Sequence, residues 1–172
     1  SHPTQALLDA STIRERYGRI EGVKVAIVGD LRHSRVARST GDILHRLGAH
    51  VAYAAPESLS PTDVQFTSLR RFEHIDEVLQ WADVVYLLRI QRERITGDVV
   101  PSIEEYKQAY AITMERAQQH PLVSIMHPGP VNVGVEIDEA VLSLPQCSIH
   151  RQVTHGVAVR MAVLQTLTYD LL

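Results

Sequence analysis

Lys24-Val25-Ala26-Ile27-Val28-Gly29-Asp30 is the stretch on which the architecture turns. Val25, Ile27 and Val28 are β-branched, and the run is apolar without alternation, the pattern of a strand buried on both faces. Gly29-Asp30 then breaks it. From Ser34 the period changes. Val36, Ala37, Thr40, Ile43, Leu44 and Leu47 recur at helical spacing on one face, and Gly48 closes the segment.

Outward from this unit, strand and helix go on alternating. Pro3 to Tyr17 reads as a helix with proline in its first turn and Gly18 as its stop. Further strands are expected at Val51–Ala55, Asp83–Leu88 and Leu122–Met126. Between them stand a helix at Ile75–Trp81 and one or two helices over Pro101–Gln119, the second capped by Thr113. A last helix begins near Thr154, and its stripe Val157, Met161, Leu164 and Leu167 reads, from periodicity alone, as core. Glu57–Asp63, Thr96–Pro101 and Gly129–Gly134 read as loops. This order implies an α/β fold: an open, mainly parallel sheet with helices on both faces.

Composition narrows the function. The 172 residues are 45% hydrophobic and 22% charged, as in a globular domain. Seventeen basic against twenty acidic side chains leave a net charge of −3, no field for a nucleic acid or an anionic membrane. A single cysteine, Cys147, excludes an internal disulfide framework. No apolar run approaches the roughly 18–20 residues of a membrane helix and no leader pattern opens the chain, so the cytoplasm is the expected compartment. Histidine spacing gives no metal motif. GxGxxG and Walker patterns are absent, so neither a nicotinamide nor a nucleoside-triphosphate site is expected.

Ligands of open α/β sheets bind at the carboxyl ends of the strands. Those ends carry Arg32, His33, Ser34 and Arg35, then Arg89, Gln91, Arg92, Glu93 and Arg94, then His127, Gly129 and Pro130. Local cation in a net anion suggests a small, multiply anionic substrate. In an extended segment, Arg89, Gln91 and Glu93 share a side. Arg89 could then grip a carboxylate while Glu93 orients its guanidinium. Arg35, at a helix start, could hold a second anionic group. Each arginine taken singly reads as a solvated surface ion pair; three clusters at three strand ends favour a site. His2 and Gln5 share the first turn of the opening helix, where a histidine could donate to a developing oxyanion.

These residues resemble the second half of the aspartate carbamoyltransferase family. The matching stretches are His2-Pro3-Thr4-Gln5-Ala6-Leu7-Leu8-Asp9, Val25–Asp30 with His33–Ser39, Leu88–Arg94, Met126–Asn132, and Gln152–Thr154 with Gly156–Met161. HPxQ is shared with ornithine enzymes; the RIQxER run and the HPGP loop point to aspartate. The resemblance implies transfer of a carbamoyl group from carbamoyl phosphate to L-aspartate, in pyrimidine biosynthesis, with no cofactor, metal or enzyme nucleophile. It implies that His2 meets the carbonyl oxygen of carbamoyl phosphate as the catalytic donor, Gln5 its amino group, and the backbone at Gly129 and Pro130 the carbamoyl group. Arg35, Arg89 and Gln91 would bind L-aspartate, with Glu93 behind Arg89.

Family members are nearly twice this length. Residues 1–18 are accordingly expected to be an interdomain helix, 19–153 the L-aspartate-binding domain, and 154–172 a helix that packs on a missing amino-terminal carbamoyl-phosphate domain. The chain reads as an excised or cleaved half, inactive alone, of a homotrimeric enzyme with regulatory or dihydroorotase subunits as further partners. Val133 and His155 depart from the family's arginine and asparagine. They leave open an alternative, a degenerate non-catalytic subunit kept for assembly or regulation.

Overall fold

The computed structural model describes residues 2–62, 66, 68–90 and 102–169. Five strands carry the sheet: β1 (Lys24–Val28), β2 (His50–Ala54), β3 (Arg70–Phe72), β4 (Val84–Leu87) and β5 (Ser124–Met126). All pair in parallel, in the order β3-β2-β1-β4-β5. The chain leaves β1 toward β2 and β3, then returns to build β4 and β5 on the other side. The order therefore reverses between β1 and β4, where Val28 pairs with Leu87. That reversal opens a crevice at the carboxyl edge.

Among the described residues, the helices that flank the sheet are α1 (Pro3–Tyr17), α2 (Arg35–Arg46), α3 (Ile75–Trp81), α4 (Ile103–Tyr110), α5 (Met114–Gln119) and α6 (Ile149–Thr168). The two-residue pleat sorts each strand's side chains between two cores. Val25, Ile27, Val51, Tyr53, Val84 and Tyr86 meet Ala10 and Ile13 of α1 and Ala37 and Leu44 of α2. Ala26, Val28, Ala52, Ala54, Val85 and Leu87 meet α3, α4 and α5 through Ile75, Val78, Tyr106, Tyr110 and Ala117. Both faces of β1 are thus sealed, as its unbroken apolar run requires.

Several boundaries differ from the sequence reading, each for a tertiary reason. β3 was not anticipated. It is an edge strand with two arginines, held by pairing to β2 and by an Arg71–Glu57 ion pair at 2.7 Å, with Phe72 alone buried. β5 starts at Ser124, not Leu122, whose side chain is 84% exposed. The helical stretch before β5 is two helices. Ser102 closes a reciprocal capping box with Glu105 ahead of α4, and Thr113 accepts the Arg116 N–H ahead of α5.

The last helix opens at Ile149, ahead of Thr154. Its first turn is placed by β5, through Ser148 Oγ at 2.9 Å from Ser124 Oγ and Ser148 N–H donating to the Ile125 carbonyl. Nor is its apolar stripe core. Val153, Val157, Met161, Leu164 and Leu167 are each more than 60% exposed. Periodicity marks the face of a helix and is silent on what covers it.

Candidate active site

The site is built from three strand ends and the start of α1. After β1, the Gly29 N–H donates to Ala54 O, and φ is +121°. The chain then curls around Asp30, which is fully buried and accepts both the His33 backbone N–H at 3.1 Å and its ring Nδ1 at 2.9 Å. This turn delivers Ser34 as the cap of α2, accepting the Ala37 N–H at 3.1 Å. Arg35 consequently opens α2, exposed, where the partial positive charge of the helix end adds to its own.

Two residues beyond β4 stands Arg89, half-buried. Its neighbour Ile90 is lashed to the loop after β5. Glu136, itself fully buried, accepts the Ile90 N–H, the Asn132 backbone N–H and the Asn132 side-chain amide, all at 2.8 Å, and Asn132 also donates to Ile90 O. Burial raises the Glu136 carboxyl's proton affinity, while the bonds from Ile90 and Asn132 oppose it. Arg89 therefore projects from a backbone fixed on both sides.

After β5 the loop turns on His127. Its Nδ1 accepts the Gly129 N–H at 2.8 Å, which places the ring proton on Nε2. The ring is 1% exposed, and Nε2 meets no protein partner among the described residues. Burial first, then the nearby Arg89 guanidinium, pushes the His127 pKa down to about 4. The imidazole is thus a neutral donor beside a cation. The Gly129–Pro130 peptide is cis.

α1 enters the site through its first turns. His2 caps the helix without a side-chain bond of its own, leaving the imidazole exposed. Its backbone N–H donates to Ser39 Oγ at 2.8 Å, and Ser39 Oγ donates to Arg35 O, so the starts of α1 and α2 are tied. Two turns on from His2, Asp9 is a buried hub. Oδ1 accepts Gln5 Nε2 at 3.0 Å and Gln152 Nε2 at 2.8 Å; Oδ2 accepts Thr40 Oγ1 at 2.9 Å and Tyr86 Oη at 2.7 Å. Gln152 Oε1 in turn accepts the His127 N–H at 2.9 Å. Gln5, His127, Pro128, Gly129 and Gln152 line one cavity of about 260 Å³.

The structure gathers Gln5 and Gly129 directly, and Arg89 beside His127; it brings Arg35 and His2 together through Ser39. Gln91 and Glu93 lie outside the described residues, as do Arg92 and Arg94. Asp9, Gln152, Asn132 and Glu136 carry the geometry and were not assigned roles from sequence. The available signal was a carboxylate, Asp9, on the face of α1 that buries Ala6, Ala10 and Ile13. Of the two departures, Val133 is half-exposed on the loop, whereas His155 clasps α6 to α1. Its Nδ1 lies 3.0 Å from Ser11 Oγ and its Nε2 2.9 Å from Glu15 Oε2, with Arg151 on the same carboxylate.

No helix among the described residues is long and apolar enough to cross a membrane. The profile of the family described as "Aspartate/ornithine carbamoyltransferase, Asp/Orn binding domain" matches residues 21–167. The chain is 50% identical over 171 residues to the aspartate carbamoyltransferase catalytic subunit of Xanthobacter autotrophicus, covering 99% of this chain and 54% of that protein. The catalytic subunit of the M. jannaschii aspartate transcarbamoylase superposes with a TM-score of 0.87 at 34% identity, over 99% of this chain and 56% of that one. The Trypanosoma cruzi enzyme in complex with aspartate and phosphate gives 0.79 at 29%, over 95% and 53%. The chain thus spans about half the length of the relatives it matches. It belongs to the aspartate/ornithine carbamoyltransferase family and carries that family's Asp/Orn-binding domain.

Proposed function

We propose that this chain is the L-aspartate-binding half of an aspartate carbamoyltransferase, inactive alone and completed by an amino-terminal half that binds carbamoyl phosphate. The observation that carries the reading is the placement of Arg35 and Arg89 on the segments that follow the carboxyl ends of adjacent strands β1 and β4, with a neutral His127 near Arg89 that adds no competing charge. T. cruzi relatives in complex with aspartate, with carbamoyl phosphate and with N-(phosphonacetyl)-L-aspartic acid support the same substrates here.

In this reading Arg35 and Arg89 bind the two carboxylates of L-aspartate by charge-assisted hydrogen bonds, with Gln91 assisting and Glu93 behind Arg89. Gln5 and the Gly129–Pro130 backbone hold the carbamoyl group. The aspartate amine attacks the carbamoyl carbon, the bond from that carbon to the phosphate oxygen breaks, and phosphate leaves with the amine's proton. His2 donates to the carbonyl oxygen as it gains charge, at the positive end of α1, where one such donor is worth on the order of 10²–10³ in rate.

The exposed stripe Val153, Val157, Met161, Leu164 and Leu167 is the surface the amino-terminal half would cover. This division into residues 1–18, 19–153 and 154–172, a homotrimeric assembly, and a cytoplasmic location in pyrimidine synthesis belong to the same reading. The test is to mix or fuse the chain with the amino-terminal half of the X. autotrophicus relative and assay N-carbamoyl-L-aspartate. Turnover by the pair and none by the chain alone is expected. A stable complex that does not turn over, or that prefers ornithine, overturns the proposal.

A further inference from the structure

Away from the strand ends, Ser11, His155 and Glu15 form a relay between α1 and α6. Ser11 Oγ lies 3.0 Å from His155 Nδ1, and His155 Nε2 lies 2.9 Å from Glu15 Oε2. An ionised carboxylate only accepts, so Nε2 carries the proton of the neutral ring and Nδ1 turns its lone pair to the serine. Ser11 is therefore the donor in the first bond, and its hydroxyl proton already points at a base. Hydrogen bonds from His155 and then Arg151 hold the Glu15 carboxyl below the usual carboxylate range, so it stays ionised. Ser11 and Glu15 stand four residues apart on α1, which sets both against one ring. Ser11 also lines a cavity of about 520 Å³ between α1, α2 and α6, whose walls include Leu7, Ile43, Leu47, Val159 and Val163. Arg14, three residues on from Ser11, lines it too. No residue assigned above to L-aspartate or carbamoyl phosphate does so.

We propose that Ser11 is a nucleophile that takes the acyl group of esters with an apolar chain, with His155 as its general base and Glu15 as the carboxylate that orients that base. Nucleophile, base and orienting acid stand within hydrogen-bond reach in that order, the arrangement that activates a serine hydroxyl. Here the serine meets Nδ1 and the carboxylate Nε2; either ring nitrogen of a neutral imidazole can serve as the base when the other holds the proton. The cavity is of a size that takes small molecules, and its walls suit an alkyl chain. In the reaction the bond from Ser11 Oγ to the acyl carbon forms as the hydroxyl proton passes to His155 Nδ1. The carbonyl oxygen takes the negative charge in a cavity that also holds the Arg14 guanidinium. The carbon–alkoxide bond then breaks and the alcohol leaves with the proton from Nδ1. Water releases the carboxylic acid from acyl-Ser11 by the same relay. A clasp between α1 and α6 accounts for the hydrogen bonds, but not for a serine hydroxyl at the wall of an open apolar cavity.

The test treats the 172-residue chain with an octyl fluorophosphonate, which phosphonylates an activated serine and displaces fluoride. One adduct per chain is expected, located at Ser11 by peptide mass. His155→Asn is expected to slow labelling about 100-fold or more, the scale of general-base assistance, with circular dichroism reporting that the fold is kept. No adduct, an adduct on another residue, or an equal rate in the folded variant overturns the proposal. Should His155→Asn fail to fold, the wild-type chain decides alone. The octyl probe is expected to label Ser11 at least about 10-fold faster than its ethyl counterpart, because only the longer chain fills the cavity, and equal rates overturn the proposal. Hydrolysis of p-nitrophenyl octanoate is expected in wild type and not in Ser11→Ala; turnover that survives Ser11→Ala overturns it as well.

Discussion

Glu136 Oε1 accepts the backbone N–H of Ile90 at 2.8 Å, so the residue that follows Arg89 is fastened to the loop that follows β5. The same carboxylate holds both donors of Asn132. One buried acid therefore sets the distance between the β4 end, which carries Arg89, and the Gly129–Gly134 loop. In Glu136→Gln the new amide nitrogen must face a donor. We expect a loss of about 1–3 kcal/mol, read from the urea midpoint, with a raised aspartate requirement in the completed enzyme. Wild-type stability in this variant would refute the role.

Arg89→Ala in the completed enzyme is expected to raise the KM for L-aspartate by roughly 10–100-fold, the equivalent of one charge-assisted pair. The KM for carbamoyl phosphate should move less than about threefold. Steady-state kinetics with each substrate varied in turn separates the two, and equal losses would count against the assignment.

His127 and Asp9 titrate with opposite effects on stability. With its pKa held down to about 4, the native imidazole stays neutral while the unfolded one takes up a proton near 6.5. Its contribution is complete above about 6.5 and is lost as the pH falls toward 4, on the order of 3 kcal/mol. Asp9, held up to about 6, binds its proton first in the native state and regains stability as the pH falls through that value. The two slopes offset between about pH 6 and 4. His127→Gln removes one of them, so its stability, measured by urea unfolding, should rise from pH 6 to 4 relative to wild type. Parallel profiles would show that His127 is not neutral in the fold.

A methyl group at Gly29 would lie 2.9 Å from Leu88 O and 3.1 Å from Tyr106 Oη, at φ +121°. Neither the backbone oxygen nor the buried ring can give way. Gly29→Ala is expected to cost about 2 kcal/mol or more, as thermal unfolding would record, because strain and clash act together. A loss below about 0.5 kcal/mol would show that the β1–β4 crevice yields.

Met161 is 65% exposed in the middle of the α6 stripe. Met161→Lys should leave the chain's own stability within about 0.5 kcal/mol, as surface changes do. It should abolish co-purification with an amino-terminal half. Loss of stability in the isolated chain, with assembly intact, would place the stripe in this domain's own core.

Local chemistry made much of the molecule legible. The apolar run at β1, the Gly18 stop of α1 and the Ser34 cap of α2 depend on neighbours in sequence, and so could be read there. So could the placement of Arg35 and Arg89 at strand ends, because a parallel sheet puts every such end on one edge. The grip expected of Gln91 and Glu93 falls outside the described residues.

Other features depend on partners far along the chain. β3 exists because β2 offers it an edge, and α6 begins early because β5 reaches its first turn. Asp9 looks like any helical acid until Thr40, Tyr86 and Gln152 close around it from 31, 77 and 143 residues away. Sequence alone determined the order of the elements other than β3 and the edge on which the cations gather, since both follow from residues within a turn or a strand of one another. Tertiary structure alone decided which acids are buried and which way the amides point, because a hydrogen bond across the fold is invisible to any local pattern.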